Sequence, residues 1–461
     1  MSLKPRQRFA EKIADPELRR KMAVSMGSSL LHRAQRKAEV PEWEELRDAA
    51  HALRAYTLAH LDELLAKFEH NLTAHGAQVF WATDAAAANQ YVIDVANRMG
   101  VKRLVKGKTM TSEETCLNDA LLAAGIEPVE TDLGEYLVQL AGDKPTHITA
   151  PAVHLSRQDC GKLICDHLDK PYTDNPEELT LLVREDLRQE FLQAKLGVSG
   201  GNFLVAETGT LVICDNEANQ GLVTALPEVH IALVGIDKII PRLQDLGPLL
   251  RLLARNSTGQ VLTGYTTLIN GPRRSSDADG PKELHVILLD NGRTDMLADP
   301  VARAGLTCIR CGVCCNICPI YFKVGGHPYW TYPGAIGSLW AAYVAGEEWV
   351  EELPHICSLC GACAEVCPVK NELSHRIARM RTRPQSRKRF PLAERLGHQV
   401  ISRVLGSPAL YKLAGRLLRL GWRWRGLANV LPPIAGWTQS RDLPEPPPQS
   451  FLSQHGKGGG A

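Results

Sequence analysis

The chain of 461 residues has the composition of an ordinary globular protein, with 44% hydrophobic and 23% charged residues, which excludes intrinsic disorder for most of its length. Its formal net charge of +2 gives no overall attraction to nucleic acid, and its 6% of aromatic residues argues against a base-stacking surface. A chain of this length typically forms about three domains.

The N-terminus and the cysteines together predict the cellular compartment. The first 15 residues mix basic and acidic side chains without an apolar core, so they do not form a secretory signal. No segment approaches the roughly 18 consecutive apolar residues of a transmembrane helix. We therefore expect a cytoplasmic protein whose 13 cysteines are reduced thiols, nine of them between residues 308 and 367.

Helices are predicted first along the chain, because apolar residues recur there at spacings of three and four. The residues that carry this pattern are Trp43, Leu46, Ala50, Leu53 and Thr57. From about residue 76, short apolar runs alternate with helical stretches, as is typical of an open α/β domain. The predicted strands are 79–82, 103–105, 126–129, 203–206, 211–214, 230–234 and 284–289, and the predicted helices are 85–99 and 112–124.

The composition changes abruptly to Cys, Gly and Pro near Asp299, and this region ends near Ser374. We therefore predict four segments. They are an N-terminal helical segment (1–75), an α/β domain (76–299), a cysteine-rich domain (300–375) and a basic C-terminal segment (376–461). The proline-rich and glycine-rich end of the last segment is expected to be disordered.

The cysteine-rich domain contains two copies of one four-cysteine motif. The first copy is Cys308, Cys311, Cys314 and Cys318 before Pro319, and the second is Cys357, Cys360, Cys363 and Cys367 before Pro368. This spacing holds [4Fe–4S] clusters in bacterial-type two-cluster ferredoxins. Zinc sites usually take two separated pairs of ligands, which explains the pattern poorly. The sequence therefore predicts two [4Fe–4S] clusters.

In this type of motif, the first three cysteines bind one cluster and the fourth binds the other. The predicted ligands are Cys308, Cys311, Cys314 and Cys367 for cluster 1, and Cys357, Cys360, Cys363 and Cys318 for cluster 2. Gly312 and Gly361 follow the second cysteine of each copy and allow the backbone to approach a cluster closely. Neither cluster then has an open iron, so we expect electron transfer rather than substrate chemistry there.

The remaining thiols are interpreted as structural. Cys315, which follows a predicted ligand, is expected to be a small buried hydrophobe. The four others lie apart from the motifs and suggest no third cluster; they are Cys116, Cys160, Cys165 and Cys214.

Three other segments invite a functional interpretation. Residues 206–210 could bind an anion or simply form a tight turn. Residues 106–113 are predicted to be a solvated turn with Ser112 as an N-cap. His147 and His154 either face a pocket or make structural hydrogen bonds. No glycine motif supports a bound nicotinamide or flavin, and no catalytic residue is assigned.

The C-terminal segment is strongly basic. Residues 376–425 contain 14 Lys or Arg and one acidic residue, a local net charge of +13. A predicted amphipathic helix has the apolar residues Leu410, Leu413, Ala414, Leu417, Gly421 and Trp424 on one face, and Lys412, Arg416, Arg419 and Arg423 on the other. The helix packs on the protein's own core, on an acidic partner subunit or on anionic lipid, and no motif indicates nucleic acid.

Besides the cysteine motifs, seven segments carry a resemblance to a known family: 106–114, 131–136, 147–154, 206–210, 290–293, 325–329 and 332–337. From about residue 10 to about residue 437, the sequence resembles the lactate utilization protein B family, the iron–sulfur subunits of a three-protein bacterial L-lactate oxidation system. Two positions depart from the family pattern. Cys315 stands where an apolar residue is expected, and Asn371 begins a stretch where an Ile-Pro step is more usual.

The resemblance implies a fold for both main domains. Residues of about 70–300 would form a LUD domain, whose Rossmann-like α/β core is similar to ribose-5-phosphate isomerase and CoA-transferase folds. The cysteine-rich domain would be an α-helical two-cluster [4Fe–4S] ferredoxin domain, similar to those of anaerobic dehydrogenases and heterodisulfide reductases. The 38 residues between Cys318 and Cys357 leave room for helices between the motifs.

The resemblance also implies a function. The chain would be a non-catalytic electron-transfer subunit in the oxidation of L-lactate to pyruvate. Its partners would be a cysteine-rich CCG-domain subunit and a smaller LUD-domain subunit, with an unidentified downstream electron acceptor. Two alternatives stay open: the LUD domain is itself the catalyst, or the chain serves another 2-hydroxy acid or a glycerol 3-phosphate dehydrogenase. The basic helix is a candidate contact with the inner face of the cell membrane.

Overall fold

The computed structural model describes residues 5–345, 347–382 and 392–421, together with Pro447 and Gln449. Residues 1–382 belong to one compact unit and residues 383–461 to a second. The first unit contains all three segments predicted before residue 375, and the boundaries between them stay a prediction. Apart from Pro447 and Gln449, the expected disordered tail lies outside the described residues, as do Arg423 and Trp424.

The α/β part of the first unit is built on two sheets. Its strands are β1 Gln78–Ala82, β2 Arg103–Lys106, β3 Glu127–Glu130, β4 Leu196–Ser199, β5 Phe203–Val205, β6 Thr210–Asp215, β7 Val229–Gly235, β8 Ile239–Ile240, β9 Tyr265–Ile269 and β10 Glu283–Leu289. A six-stranded parallel sheet has the order β1-β10-β7-β4-β2-β3, and a four-stranded mixed sheet has the order β8-β5-β6-β9. The predicted α/β fold is confirmed, and β4, β8 and β9 are strands that the sequence patterns did not predict.

Helices precede the first strand, as predicted. They are α1 Pro5–Ile13, α2 Pro16–Ala38, α3 Trp43–Ala59 and α4 Leu61–Ala74. The side chain of Asp15 caps α2 by accepting the backbone N–H of Leu18 at 3.0 Å. The face of α3 that carries Trp43, Leu46 and Ala50 is buried, in agreement with its sequence pattern.

Further helices belong to the α/β part. They are α5 Ala85–Arg98, α6 Met110–Thr115, α7 Leu117–Ala123, α8 Leu133–Leu140, α9 Arg157–Leu168, α10 Pro176–Gln193, α11 Asn219–Ala225, α12 Leu246–Ser257 and α13 Arg293–Ala298. Helices α5 and α7 pack on one face of the central strand β7, and α4 and the second sheet pack on the other, so every residue of this strand is buried. Helix α12 instead packs on the four-stranded sheet. The single helix predicted over 112–124 is divided into α6 and α7, because Cys116 adopts a left-handed conformation with φ of 53°.

The cysteine-rich part of the first unit is helical. Its helices are α14 Val313–Asn316, α15 Tyr321–Val324, α16 Gly334–Val344, α17 Glu347–Ile356, α18 Ala362–Val366 and α19 Leu373–Arg381. Phe9 of α1 and Met22 and Met26 of α2 are buried in the same core as Tyr321 and Trp340 of these helices. The first two helices of the chain therefore complete the core of a segment that lies some 300 positions further along the sequence.

The N-terminal helices also join the α/β part to the cysteine-rich part. Arg54 of α3 is 1% exposed, and its guanidinium donates hydrogen bonds to backbone carbonyls on both sides of this junction. The acceptors are Asp237, Ile239 at 2.7 Å, Leu306 at 3.0 Å and Thr307 at 3.2 Å. Burial lowers the pKa of Arg54 to about 10, so its side chain stays charged at neutral pH.

The described part of the second unit comprises the helices α20 Leu392–Gly406 and α21 Pro408–Gly421, which contact each other. The helix predicted around residues 410–421 is therefore present. Leu413 and Leu417 on its apolar face are 52% and 59% exposed, and what covers this face stays a prediction. Among the described residues, no helix combines the length and the apolar character needed to cross a membrane.

We predict that replacing Arg54 with Ala destabilises the first unit by about 3 kcal/mol or more, because buried carbonyls lose a charged donor. The measurement is anaerobic chemical unfolding followed by circular dichroism. Arg20→Ala is the control, since Arg20 is 67% exposed and pairs only with nearby Glu17. Equal unfolding midpoints for the two variants would contradict this role of Arg54.

Candidate iron–sulfur site

The eight motif cysteines lie at two small cavities. Cavity 1 is lined by Cys308, Cys311, Cys314 and Cys367. Cavity 2 is lined by Cys318, Cys357, Cys360 and Cys363. Each cavity thus receives three cysteines from one motif copy and the fourth from the other copy.

The two motif copies have the same backbone conformation around their second cysteine. Positive φ angles occur at Arg310 (60°), Gly312 (76°), Leu359 (56°) and Gly361 (83°). The N–H groups of Arg310 and Leu359 lie 3.4 Å from the Sγ atoms of Cys308 and Cys357, respectively. Such turns direct several backbone N–H groups into one concavity, which suits a negatively charged group such as an iron–sulfur cluster.

The thiols in these cavities need a cation to ionise together. Burial and neighbouring cysteines raise the pKa of Cys311 and Cys363 well above the usual range. Burial also raises the pKa of Cys318 to about 11 and that of Cys367 to about 12. Iron would supply the positive charge that keeps four thiolates ionised in one cavity, so the donor set and its surroundings fit a cluster.

Cys315 lines neither cavity, although its thiol lies beside that of the predicted ligand Cys314. Its side chain is fully buried, and its Sγ donates to the carbonyl of Pro333 at 3.3 Å. The prediction that Cys315 is buried is confirmed. Asn371, the other departure from the family pattern, is 2% exposed and donates its backbone N–H to the Sγ of Cys367 at 3.3 Å. Its side chain donates to the carbonyl of Ala304 at 2.7 Å, so it holds the end of the second motif in place.

Cavity 1 is fixed to the α/β part through a buried aspartate. Asp237, which follows β7, accepts from Arg293 at 2.6 Å and lies 3.4 Å from the guanidinium of Arg310. Arg310 stands between the first two cysteines of the first motif. Burial by itself would raise the pKa of Asp237, but Arg310 and Arg293 hold it well below its usual value. The carboxylate therefore stays ionised between two guanidinium groups.

The same charge network extends to the connection between the two motifs. Arg293 also makes two hydrogen bonds with Glu114, at 2.8 and 2.9 Å. Tyr332 donates to Glu114 at 2.9 Å, and the guanidinium carbon of Arg310 lies 4.0 Å from the centre of the Trp340 ring. Three of the segments that resemble the family, 106–114, 290–293 and 332–337, therefore meet in one buried cluster.

A polar cavity of about 230 Å³ lies in the α/β part beside cavity 1. Its lining has cationic groups, amides and carboxylates. The residues are Lys108, Lys238, Arg310, Asn202, Gln220, Asp132, Asp215 and Glu217. Burial and Arg310 lower the pKa of Lys238 to about 7, although Asp237 opposes the shift. The sequence analysis missed Lys238. The available signal was the pair Asp237 and Lys238 enclosed by isoleucines on both sides.

The prediction of a solvated turn at residues 106–113 is wrong. Lys106 at the end of β2 is fully buried and pairs with Glu130 at 2.7 Å and Ser112 at 2.8 Å. Ser112 is also buried, and Thr109 rather than Ser112 caps α6. The charge of these residues suggested exposure, but buried partners from β3 and α6 compensate it.

Residues 206–210 form a tight turn between β5 and β6. Asn71 of α4 donates to the carbonyls of Ala206 and Glu207 at 2.8 and 2.9 Å. A Cβ atom at Gly209, whose φ is 62°, would lie 2.4 Å from the backbone nitrogen of Leu72. This glycine therefore permits close packing on α4, and the turn alternative accounts for the segment.

His147 has the hydrogen-bonded structural role that the sequence left open. It is 2% exposed, and its Nε2 lies 2.7 Å from Oδ1 of Asn316 in α14. Its Nδ1 accepts the N–H of Ala150 at 3.0 Å. Burial lowers the pKa of His147 to about 4, so the neutral ring links the α/β part to the first cysteine motif at neutral pH.

We predict that Cys315→Ala keeps the iron content of the wild type, whereas Cys314→Ala loses about half of it. The reason is that Cys314 lines cavity 1, whereas Cys315 bonds to a backbone carbonyl. The measurement is the ratio of iron to protein after anaerobic purification. Equal iron losses in the two variants would show that the wrong neighbouring cysteine is assigned as the ligand.

Two known protein families match successive parts of the chain. Residues 65–289 match the LUD domain, and residues 305–371 match the 4Fe-4S dicluster domain. A solved structure of a DUF162 family protein from Deinococcus radiodurans is 18% identical, with a TM-score of 0.28, and the match covers 50% of this chain and 98% of that one.

Relatives match along almost the whole chain. An uncharacterized electron transport protein of Escherichia coli (strain K12), YkgF, is 37% identical over 97% of this chain and 95% of its own length. Lactate utilization protein B of Shouchella clausii is 38% identical over 94% of this chain and 92% of its own length. The protein of that name from Oceanobacillus iheyensis is 37% identical, with 97% and 94% covered. The chain therefore belongs to the lactate utilization protein B family.

Proposed function

We propose that the chain transfers electrons through two [4Fe–4S] clusters during the oxidation of L-lactate to pyruvate. The observation that carries this proposal is the pair of four-cysteine cavities. Cluster 1 would be bound by Cys308, Cys311, Cys314 and Cys367, and cluster 2 by Cys357, Cys360, Cys363 and Cys318. Lactate gives up two electrons, and two one-electron carriers can pass them on one at a time.

The position of the motif helices supports electron transfer between the two cavities. Cys314 on α14 lines cavity 1, and Cys318, just beyond that helix, lines cavity 2. Cys363 on α18 and Cys367 just beyond it have the reverse arrangement, and α14 contacts α18. Residues four apart on a helix are separated by about 6 Å along its axis. Such short segments between the ligands of the two clusters would hold the clusters close enough for electrons to pass between them.

The two cavities differ in their exposure, which suggests a direction for the electrons. Cys311, Cys314 and Cys367 of cavity 1 are buried, beside the polar cavity of the α/β part. Cys360 of cavity 2 is exposed. Electrons would therefore enter at cluster 1 and leave at cluster 2, where an acceptor can approach.

The names of the relatives support a role of this chain in a lactate utilization system. We further propose that the chain works with two partner subunits. One is a cysteine-rich CCG-domain protein, and the other is a smaller LUD-domain protein. The four thiolates assigned to each cluster leave no iron position for lactate. In this scheme the chemistry of lactate takes place outside the two cavities, and the chain relays the electrons.

A second candidate function places the chemistry in the LUD domain of this chain. The polar cavity beside cavity 1 favours it, since Lys108, Lys238 and Arg310 could bind the carboxylate of a small acid. Another 2-hydroxy acid or glycerol 3-phosphate is also an anion, so these three charges do not select lactate. The clusters would then be the local relay of a catalytic domain.

We predict that the isolated chain contains about eight irons and does not oxidise lactate until both partner subunits are added. Cys367→Ser should block lactate-dependent dye reduction in the reconstituted system, because cluster 1 loses a ligand. Cys160→Ser is the control, since that half-buried thiol lies on α9, outside both cavities.

The same assay distinguishes the second candidate. Rapid lactate oxidation by the isolated chain, lost in Lys238→Gln with its iron content unchanged, would place the chemistry in the LUD domain. Zinc in place of iron would contradict both candidates.

We also propose that α21 makes a peripheral contact with an anionic membrane. Lys412 and Arg416 are exposed on this helix, as are Leu413 and Leu417 on its other side. A helix with a basic face and exposed leucines is typical of segments that lie in the membrane interface. An acidic partner subunit is the alternative contact.

We predict that the chain floats with anionic vesicles at low salt and is released as salt rises, because charges are screened beyond about 10 Å at 0.1 M. Changing Lys412, Arg416 and Arg419 together to Gln should abolish flotation without changing the iron content. Neutral phosphatidylcholine vesicles are the control. If the triple variant floats with anionic vesicles as the wild type does, the membrane contact is wrong. Weaker binding of the triple variant than of the wild type to the partner subunits, with unchanged flotation, would indicate the acidic partner subunit instead.

A further inference from the structure

A group of potential metal ligands lies outside both cysteine cavities. Asp143 follows α8, His154 precedes α9, and His327 lies between α15 and α16 in the cysteine-rich part. Oδ2 of Asp143 lies 3.3 Å from Nε2 of His154 and 3.1 Å from Nε2 of His327. One donor atom from each residue lies within 4.8 Å of the other two. Three segments that are distant in sequence therefore converge on one point.

Thr146 contacts one ring nitrogen of His154 and leaves the other for a ligand. The Thr146 hydroxyl lies 2.9 Å from the carbonyl of Pro151, to which it can donate its one proton. Its oxygen also lies 3.0 Å from Nδ1 of His154 and can accept the proton of that nitrogen. In the neutral tautomer with a protonated Nδ1, the lone pair of the ring is on Nε2.

This lone pair faces the carboxylate of Asp143. His154 is 9% exposed, and its Nε2 is buried without a hydrogen-bond partner. An acceptor nitrogen that lies 3.3 Å from a carboxylate oxygen is unfavourable unless a positive charge lies between them. That charge is a metal ion or a proton.

The distances suit a metal ion. Zinc lies about 2.0–2.2 Å from histidine nitrogen and carboxylate oxygen, so neighbouring ligands of a tetrahedral site are about 3.4 Å apart. The contacts of Asp143 with His154 and His327, at 3.3 and 3.1 Å, are close to this spacing. Two histidines and one carboxylate form a common ligand set for zinc, and also for iron(II) with open positions.

Neighbouring residues orient the candidate ligands, and one side of the group faces a cavity. Thr146 fixes the ring of His154 through Nδ1, as outer-shell partners of metal-binding histidines do. Nε2 of His327 also lies 3.3 Å from the carbonyl of Lys144, a contact that a bound metal would replace. Asp143 and His327 line a cavity of about 660 Å³, which gives water or an anion access to the remaining coordination positions.

We propose that Asp143, His154 and His327 bind a divalent transition-metal ion of the zinc class, with open coordination positions that face this cavity. The ion would join the α/β part to the connection between the two cysteine motifs. It would be distinct from both iron–sulfur clusters, because no motif cysteine is among these ligands.

The test uses the full chain with its clusters, purified anaerobically, incubated with one equivalent of Zn²⁺ and desalted. Elemental analysis should find about one zinc per wild-type chain with the iron content unchanged. His327→Ala and Asp143→Asn should lose that zinc and keep their iron. Their zinc affinity should fall by more than the roughly 10–100-fold that the loss of an outer-shell partner costs. His70→Ala, at an exposed histidine on α4, should bind zinc like the wild type.

Thermal unfolding provides a second measurement. Zinc should raise the unfolding temperature of the wild type and of His70→Ala, but not that of His327→Ala, whose unfolding temperature without zinc serves as its own baseline. Equal zinc retention in wild type and His327→Ala would show that the metal is bound by thiols. If the wild type binds neither Zn²⁺ nor Mn²⁺, the charge between His154 and Asp143 is a proton. Either result would overturn the proposal.

Discussion

The buried carboxylate of Asp237 is the constraint on which the rest of the first unit depends. A buried charge is tolerated only when partners compensate it, and Asp237 has Arg293 from one segment and Arg310 from another. Since Arg310 belongs to the first cysteine motif, its contact with Asp237 holds the loop that shapes cavity 1 at the end of β7. The LUD domain and the cysteine-rich part are thus electrostatically interdependent.

The N-terminal helices add a second constraint on the same cavity. Arg47 of α3 donates to the carbonyl of Cys367 at 2.8 and 3.0 Å, and Arg33 of α2 donates to the carbonyl of Val366 at 3.2 Å. The end of the second motif is therefore held by helices from the beginning of the chain. Cavity 1 is enclosed by three distant parts of the sequence, whereas cavity 2 retains an exposed cysteine. This asymmetry underlies the proposed direction of electron transfer.

The sequence predicted those features that depend on local pattern. The strands with continuous apolar runs, such as β7 and β10, were predicted because burial on both faces leaves a clear signal. The cysteine spacing predicted which thiols are brought together, since the ligand geometry of a cluster dictates that spacing. By contrast, β8 has two residues and β4 contains Gly197, so neither has a clear pattern.

Features that depend on distant partners were missed. Lys106 and Lys238 looked solvated or unremarkable in the sequence, because a buried lysine is recognisable only when its partners and its burial are known. The approach of His327 to Asp143 follows from packing between two parts of the chain, and no local periodicity encodes it. The residues of the buried network around Asp237 likewise lie in separate short segments of the sequence. Only the fold brings these segments together.

The enclosure of cavity 1 by the N-terminal helices has a consequence for damage by air. Dioxygen and superoxide attack iron–sulfur clusters that they can reach, and access is set by the atoms that cover the sulfur ligands. Arg33 and Arg47 bind helices α2 and α3 to the end of the second motif, so these helices cover it. Cys360 and Leu359, by contrast, are exposed beside cavity 2. Oxidation would then remove iron from cluster 2, beside the exposed Cys360, before it removes iron from cluster 1. The helices at the start of the chain would thus restrict the access of oxygen to the cluster nearest the LUD domain.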